Sequence, residues 1–214
     1  MKIRNPLYLL ALILFLVYIF IFAPSDTSNN FTLIQRMYSP EFRSVNPLIF
    51  SVFNLLGVWP MAFTVLVLEE SKLQDFPVWP FILLSFFTGG FVYLIYFSLR
   101  KSVDERLSST SLQKRIEKPR NMYLLILVTI LLLLYGFVFG DLGGYIQSFT
   151  KNSLVHVMTI DFLLLSLLFP VLMVDDMMRE KIFNLRQFLV FSVSSVLGAT
   201  LYLLHRLHKR QKIE

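Results

Sequence analysis

The 214-residue chain carries 56% hydrophobic side chains, only 16% charged ones and a mean hydropathy of +0.65, a balance far outside soluble composition that marks an integral membrane protein. Its formal charge of +6, from 20 Lys and Arg against 14 Asp and Glu, suits loops facing anionic headgroups, and nucleic acid is not needed to explain it. With no cysteine, disulfide frameworks, thiolate zinc sites, iron–sulfur clusters and cysteine nucleophiles are excluded.

A bilayer span needs about 20 apolar residues, so the length predicts an all-α, polytopic transmembrane helical bundle of about six spans, with 1–214 as one integral membrane domain. An uncharged run over 6–23 follows Lys2 and Arg4. It is longer than the core of a signal peptide and lacks a small-x-small cleavage pattern, so it reads as an uncleaved first span. Residues 24–46 begin polar and then place Phe31, Leu33, Ile34, Met37 and Tyr38 roughly on one helical face, which suggests either a short interfacial helix or an ordered loop packed on the bundle.

Spans two and three are predicted over 47–68 and 77–99, adjacent and antiparallel across a polar hairpin at 69–75. A basic connection at 100–120 leads to span four at 122–140, and a glycine-rich loop leads to span five at 154–174. The short polar stretch 175–181 precedes span six at 185–204, after which the chain ends in a basic tail.

Six spans place both termini on one side with eight Lys and Arg, against twelve on the other, seven of them in the 100–120 loop. The positive-inside rule then puts that loop in the cytoplasm or stroma, while Lys2, Arg4, Arg206, Lys209, Arg210 and Lys212 vote the other way. A five-span arrangement with the second helix re-entrant around Asn54, Gly57 and Pro60 removes the conflict.

Small residues four apart let membrane helices approach closely, and Gly136–Gly140–Gly144, Ser85–Gly89 and Ser194–Gly198 have that spacing. Pro60 and Pro170 are expected to kink their helices. Trp79 has the place of an interfacial anchor, whereas Trp59 lies inside a span, where its N–H needs a partner.

Asp161 is the one charged side chain well inside a predicted span, at a cost of roughly 2.5–3.5 kcal/mol. It reads either as a proton or cation site or as a hydrogen-bonded residue fixing helix packing. Asn54 has the position to bond to it across the bundle. His156, five residues earlier, points about 140° away round the helix and reads as interfacial, with chlorophyll or haem ligation the weaker reading. Asp175 and Arg179 have i,i+4 spacing for an ion pair, Asp176 suits a helix end, and the cluster offers polar contacts for a partner protein. No catalytic constellation, phosphate loop, metalloprotease helix or serine elbow is present, so no catalytic residue, metal or cofactor is expected.

The segments Phe53-Asn54-Leu55-Leu56-Gly57-Val58-Trp59-Pro60, Val78-Trp79-Pro80-Phe81, Val155-His156-Val157-Met158-Thr159-Ile160-Asp161-Phe162 and Asp175-Asp176-Met177 resemble a family of small, largely uncharacterised membrane proteins of cyanobacteria and plastids. The resemblance rests on 47–100 and 154–180. It implies a thylakoid or related photosynthetic membrane and no catalytic residues.

Three functions follow as expectations. The first is a non-enzymatic accessory or assembly protein beside a photosynthetic membrane complex, docking through 100–120 and 175–181. The second is a small transporter or ion conductor built on Asp161. The third is a binder of pigment (chlorophyll or carotenoid), quinone or lipid, with Trp59, His156 and phenylalanines lining an apolar cavity.

Overall fold

Every regular element is helical among residues 4–27, 29–101 and 111–211, the parts of the chain that the computed structural model describes. The α-helices are α1 (Arg4–Phe22), α2 (Asn30–Met37), α3 (Pro47–Glu70), α4 (Trp79–Thr88), α5 (Gly90–Leu99), α6 (Ser111–Ile116), α7 (Pro119–Phe139), α8 (Leu142–Lys151), α9 (Ser153–Arg179), α10 (Leu185–Val193) and α11 (Ser195–Gln211), with a 3-10 turn at Pro40–Ser44. Three of them, α3, α7 and α9, are long and apolar enough to cross a membrane, and α1 contributes a shorter apolar stretch, Pro6–Phe22.

The predicted third and sixth spans do not cross. Each is a pair of shorter helices folded back on itself, so that it enters and leaves at the same end of the bundle. In the first hairpin, Gln74 before α4 exchanges two hydrogen bonds with the backbone of Lys101 after α5, at 2.8 and 2.9 Å. Higher up, Phe81 packs on Tyr96, and Ser85 Oγ donates to the Tyr93 hydroxyl across the two arms at 3.0 Å. The arms meet at Gly89, whose φ of +58° is the left-handed conformation that glycine adopts without steric cost. Two arms of ten residues each rise about 15 Å, half the thickness of a hydrocarbon core.

The second hairpin, α10 and α11, turns at Ser194 and Ser195, with Ser195 at φ +51°. Phe191 packs on Tyr202 across its arms. A Cβ on Gly198 would sit 1.9 Å from the Phe191 carbonyl oxygen, a backbone atom that cannot move aside. Ser85 and Gly198 therefore lie between hairpin arms, whereas Gly89 is a turn residue whose open side faces Asp161 of α9. Of the glycine series, Gly136 faces Ser51 and Leu48 of α3, and Gly140, the C-cap of α7, also closes on Leu48, where an added Cβ would fall 2.5 Å from Cγ; Gly144 lies in α8 against the Asp141 side chain.

Folding the two segments back changes which loops share a side. The start of α1, the connections 71–78, 111–118 and 180–184, and the end of α11 now gather at one end, hereafter the charged end. Of the described Lys and Arg, only Arg36, Arg43 and Lys151 lie at the opposite end. The conflict in the positive-inside count thus arises from treating the two hairpins as crossings. Re-entrance is the remedy, but it belongs to these segments: α3 is helical without interruption through Asn54, Gly57 and Pro60. Helix α9 is likewise continuous through Pro170 and runs to Arg179, five residues past the expected 174.

At the opposite end the expected glycine-rich loop is mostly helix α8. Asp141 caps it by accepting from the Gly143 and Gly144 N–H groups, and its backbone is fastened to Asn46, the N-cap of α3. In the 24–46 segment the helical alternative is the one found over α2, which packs on the bundle through Met37, Leu33 and Ile34 against Ile49, Val155 and Met158. The main core lies between α3, α5, α9 and α11, around Trp59, Phe63, Tyr93, Phe169 and Tyr202.

Because the chain contains no cysteine, single-cysteine variants report this topology cleanly. Lys72→Cys, Lys101→Cys and Lys181→Cys should all react with an impermeant thiol reagent from one side of the membrane, and Gln147→Cys from the other. Six straight crossings would instead put position 72 opposite both 101 and 181.

Candidate functional site

Asp161 sits within the longest helix, α9, at the depth where the first hairpin turns. The N–H of Gly90, the first residue of α5, donates to its Oδ1 at 2.7 Å. A helix N-terminus has unsatisfied N–H groups and a positive dipole end, so it favours an acidic oxygen at that point. The approach is close because residues 89 and 90 have no side chains. A Cβ on Gly89 would fall 1.7 Å from Asp161 Oδ2, and one on Gly90 would meet Leu164 Cδ2 at 2.8 Å. Five residues along α9, Ser166 makes the matching contact to the second hairpin, its hydroxyl 2.7 Å from that of Ser195. One helix thus carries a polar anchor for each hairpin tip.

Beneath the first tip lies a cavity of about 590 Å³. It is bounded by Tyr38 from the end of α2, by Phe53, Asn54, Leu56 and Gly57 from α3, by Phe86, Phe87, Thr88 and Phe91 near the tip, and by Leu154, Val157, Met158 and Asp161 from α9. The cavity exists because a hairpin that reaches halfway leaves the other half of its column unfilled. Its walls are mainly apolar, and Asp161, itself 6% exposed, is the carboxyl in its lining.

The other sequence-predicted residues separate from this site. Asn54 shares the cavity but donates to its own helix, at the Phe50 carbonyl (2.8 Å), and not to Asp161. His156 is a pin between helices: Nδ1 bonds the Phe149 carbonyl at 3.0 Å, Nε2 the Tyr18 hydroxyl at 3.2 Å, and both neighbouring rings stack on it. Both nitrogens are engaged, which leaves neither for a metal. Trp59 is buried among Phe63, Phe162 and Phe169 outside the cavity, and its Nε1 has no hydrogen-bond partner among the described residues. Trp79 is 60% exposed at the start of α4, as an interfacial anchor requires.

The acidic and basic residues expected in loops and tail form a second centre at the charged end. Glu69 and Glu70 belong to the last turn of α3 and are buried. Glu70 accepts from Arg100 Nε at 2.6 Å, from Arg179 at 3.2 Å and from the Tyr96 hydroxyl at 2.7 Å. Arg206 directs its three nitrogens to three acids: Nε to Asp176 at 2.7 Å, Nη1 to Glu117 at 2.5 Å, and Nη2 to Glu69. Arg210 reaches Glu69 and Glu180. Burial works against the charge on Arg100, but Glu70, Tyr96 and Asp175 hold its pKa above the ordinary arginine range.

Two expectations are corrected here. Asp175 and Arg179 do not pair with each other: Asp175 binds Arg100 at 2.9 Å, and Arg179 binds Asp176 at 3.0 Å. Asp176 and Arg179, read as a surface docking cluster, are buried inside the bundle and offer nothing to a partner's surface. The basic connection is only partly visible, since 102–110 lies outside the described residues. Glu69, Asp176 and Glu180 bring carboxylate oxygens within 4.8 Å of one another, a spacing that suits a cation, and the guanidinium groups of Arg206 and Arg210 supply the positive charge there.

A sequence signal for these buried charges exists. Along α11, Val196, Ala199, Leu203, Arg206 and Arg210 follow one another at intervals of three or four, so the arginines continue the buried apolar stripe. Comparison with protein-family models, curated proteins and solved structures yields no match for the chain.

Two substitutions test these contacts. Gly89→Ala should destabilise the detergent-solubilised protein by at least about 2 kcal/mol in thermal or denaturant unfolding, from the left-handed backbone and the overlap with Asp161. Gly57→Ala, whose Cβ meets nothing within 4 Å, should not destabilise the protein and should gain up to about 1 kcal/mol from helix propensity. Arg206→Met should cost roughly 3–5 kcal/mol because it leaves three buried acids short of a partner, and Arg206→Lys should recover little, since one ammonium cannot span all three.

Proposed function

We propose that this protein is a non-enzymatic membrane protein that binds a membrane-soluble amphiphile, its apolar body in the cavity beneath the first hairpin and its polar end at Asp161. The carrying observation is the coincidence of a buried carboxyl, a helix N-terminus and a cavity of about 590 Å³ with mainly apolar walls at one depth. A ligand of this kind needs a hydrogen-bonding head on a hydrocarbon or ring body, as in quinones, lipids and pigments. The resemblance of 47–100 and 154–180 supports a photosynthetic membrane, where such molecules abound, and it supports an accessory role beside a larger complex as the setting for such binding.

Transport is the second reading, favoured by helices interrupted at mid-depth with a half-helix N-terminus on a carboxyl group. Binding is preferred because the core between Asp161 and the charged end is packed with Trp59, Phe63, Leu165, Phe169, Leu172 and Met173, all buried. A permeating ion meets no charged side chain and no oxygen acceptor among those six side chains.

Asp161→Asn separates the readings, since the amide oxygen still accepts from Gly90 and preserves the hairpin contact. Wild-type protein purified from native membranes in mild detergent should yield a near-stoichiometric amphiphile on solvent extraction and mass spectrometry, and the variant at least about tenfold less, equivalent to about 1.4 kcal/mol. Identical extracts from both would refute binding at Asp161. An ion or proton flux in reconstituted vesicles that Asp161→Asn abolishes would establish transport instead.

A further inference from the structure

A second groove, separate from the Asp161 cavity, lies on the outer face of the bundle where α4, α3 and α7 meet. Its volume is about 380 Å³. The walls are Met61 and Val65 of α3, Ile82 and Phe86 of α4, and Met122 and Leu125 of α7, and Arg115 and Asn121 stand at its mouth at the charged end. Met61 is nine residues below Glu70, about 13 Å along the helix, so the groove reaches from the charged end to the level of the hairpin's upper arm.

The chemistry at the mouth is one-sided. The sequence from 113 to 120 alternates inward and outward groups around the joint between α6 and α7. Gln113 and Glu117 turn into the buried ion network, Gln113 donating to Glu69 of α3 and to Glu117, and Glu117 pairing with Arg206 of α11. Lys114, Arg115, Lys118 and Arg120 turn outward and are exposed. The acid of this segment is thus consumed internally, and four bases are left on the surface with no ion-pair partner among the described residues. Asn121 holds the joint by donating to the Arg115 and Ile116 carbonyls, which fixes Arg115 over the groove while leaving its guanidinium free of intramolecular duty.

We propose that this groove is a binding site for an anionic lipid of the leaflet at the charged end, one acyl chain lying along Met61, Phe86 and Met122 and the phosphate held by Arg115 with its basic neighbours. Charge complementarity selects the occupant. A basic rim with no acid among the described residues, over an apolar trough, matches an anionic headgroup on a hydrocarbon chain, and the charged end carries all but three of the described Lys and Arg, which by the positive-inside rule directs it to the cytoplasmic side, where anionic lipid is concentrated. A neutral lipid gains nothing from the rim, and a soluble peptide gains nothing from a trough that faces hydrocarbon.

The test is lipid binding to the delipidated, detergent-solubilised full chain, with phosphatidylglycerol and phosphatidylcholine as probes, read by native mass spectrometry and by the shift in thermal unfolding. Phosphatidylglycerol should bind as a discrete adduct and raise the unfolding temperature, and phosphatidylcholine should do neither. Arg115→Gln should weaken phosphatidylglycerol about fivefold and Arg115→Glu more, with the unliganded unfolding temperature unchanged because the exposed Arg115 guanidinium has no ion-pair or hydrogen-bond partner among the described residues. Met61→Trp should fill the trough and abolish the adduct with the rim intact. Equal binding of the two lipids, or phosphatidylglycerol binding that survives Met61→Trp, would overturn the proposal, the latter by reducing it to attraction at the surface. A polypeptide retained through Arg115 in place of lipid would overturn it as well.

Discussion

The buried ion network at the charged end is the constraint on which the rest of the bundle depends. Six carboxylates and four guanidiniums converge there from the last turns of α3, α9 and α11, from the residue after α5 and from the α6–α7 joint. Charges so deeply placed are tolerated only in mutual contact, because the desolvation of each must be offset by its neighbours. The consequence is geometric. Two hairpins whose arms share an end with α3 and α9 are locked in register, since Arg100 at the foot of one and Arg206 at the foot of the other bind acids on those crossing helices. Membrane helices gain little hydrophobic reward for associating, so a polar cluster of this kind is well placed to specify which ends meet.

Fixing the hairpins from one end has a cost at the other. Their tips stop near mid-depth, where a turn exposes backbone groups that hydrocarbon cannot satisfy. The chain answers with glycine and serine at the turns and with Asp161 and Ser166 on α9 as partners. Asp161 therefore has a structural task, bonding the hairpin tip, and at the same time lines the cavity that the short hairpin leaves below it. Of the two readings of this lone intramembrane acid, the packing role is the one its bond to Gly90 displays, and its place in the cavity lining is what the proposed binding rests on.

Much of this site was legible residue by residue and illegible as an arrangement. Asp161 stands out in the sequence because it is a lone acid in an apolar run, and the glycines opposite it stand out as a close-approach signal. Their contact does not, because the two positions are 71 residues apart and spacing within a helix carries no information across helices. Asn54 reads in the sequence as a polar group inside a span and His156 as an interfacial one; the structure gives Asn54 to the Phe50 carbonyl of its own helix and buries His156 against the Phe149 carbonyl. The acids and arginines of the charged end look like solvated loop residues because composition alone does not distinguish a charge facing water from one facing an opposite charge.

The sequence by itself determined the solvent and the class of element: apolar runs of 18 residues or more exclude water-exposed strands or loops and demand helices in lipid. Only the tertiary structure decided how many of those runs cross. Two arms of about ten residues joined by a glycine or serine turn have the same length and hydropathy as one span of twenty, and hydropathy has no direction. What distinguishes them is where the far end finds its partner, and Arg100 and Arg206 find theirs beside the end from which the chain entered.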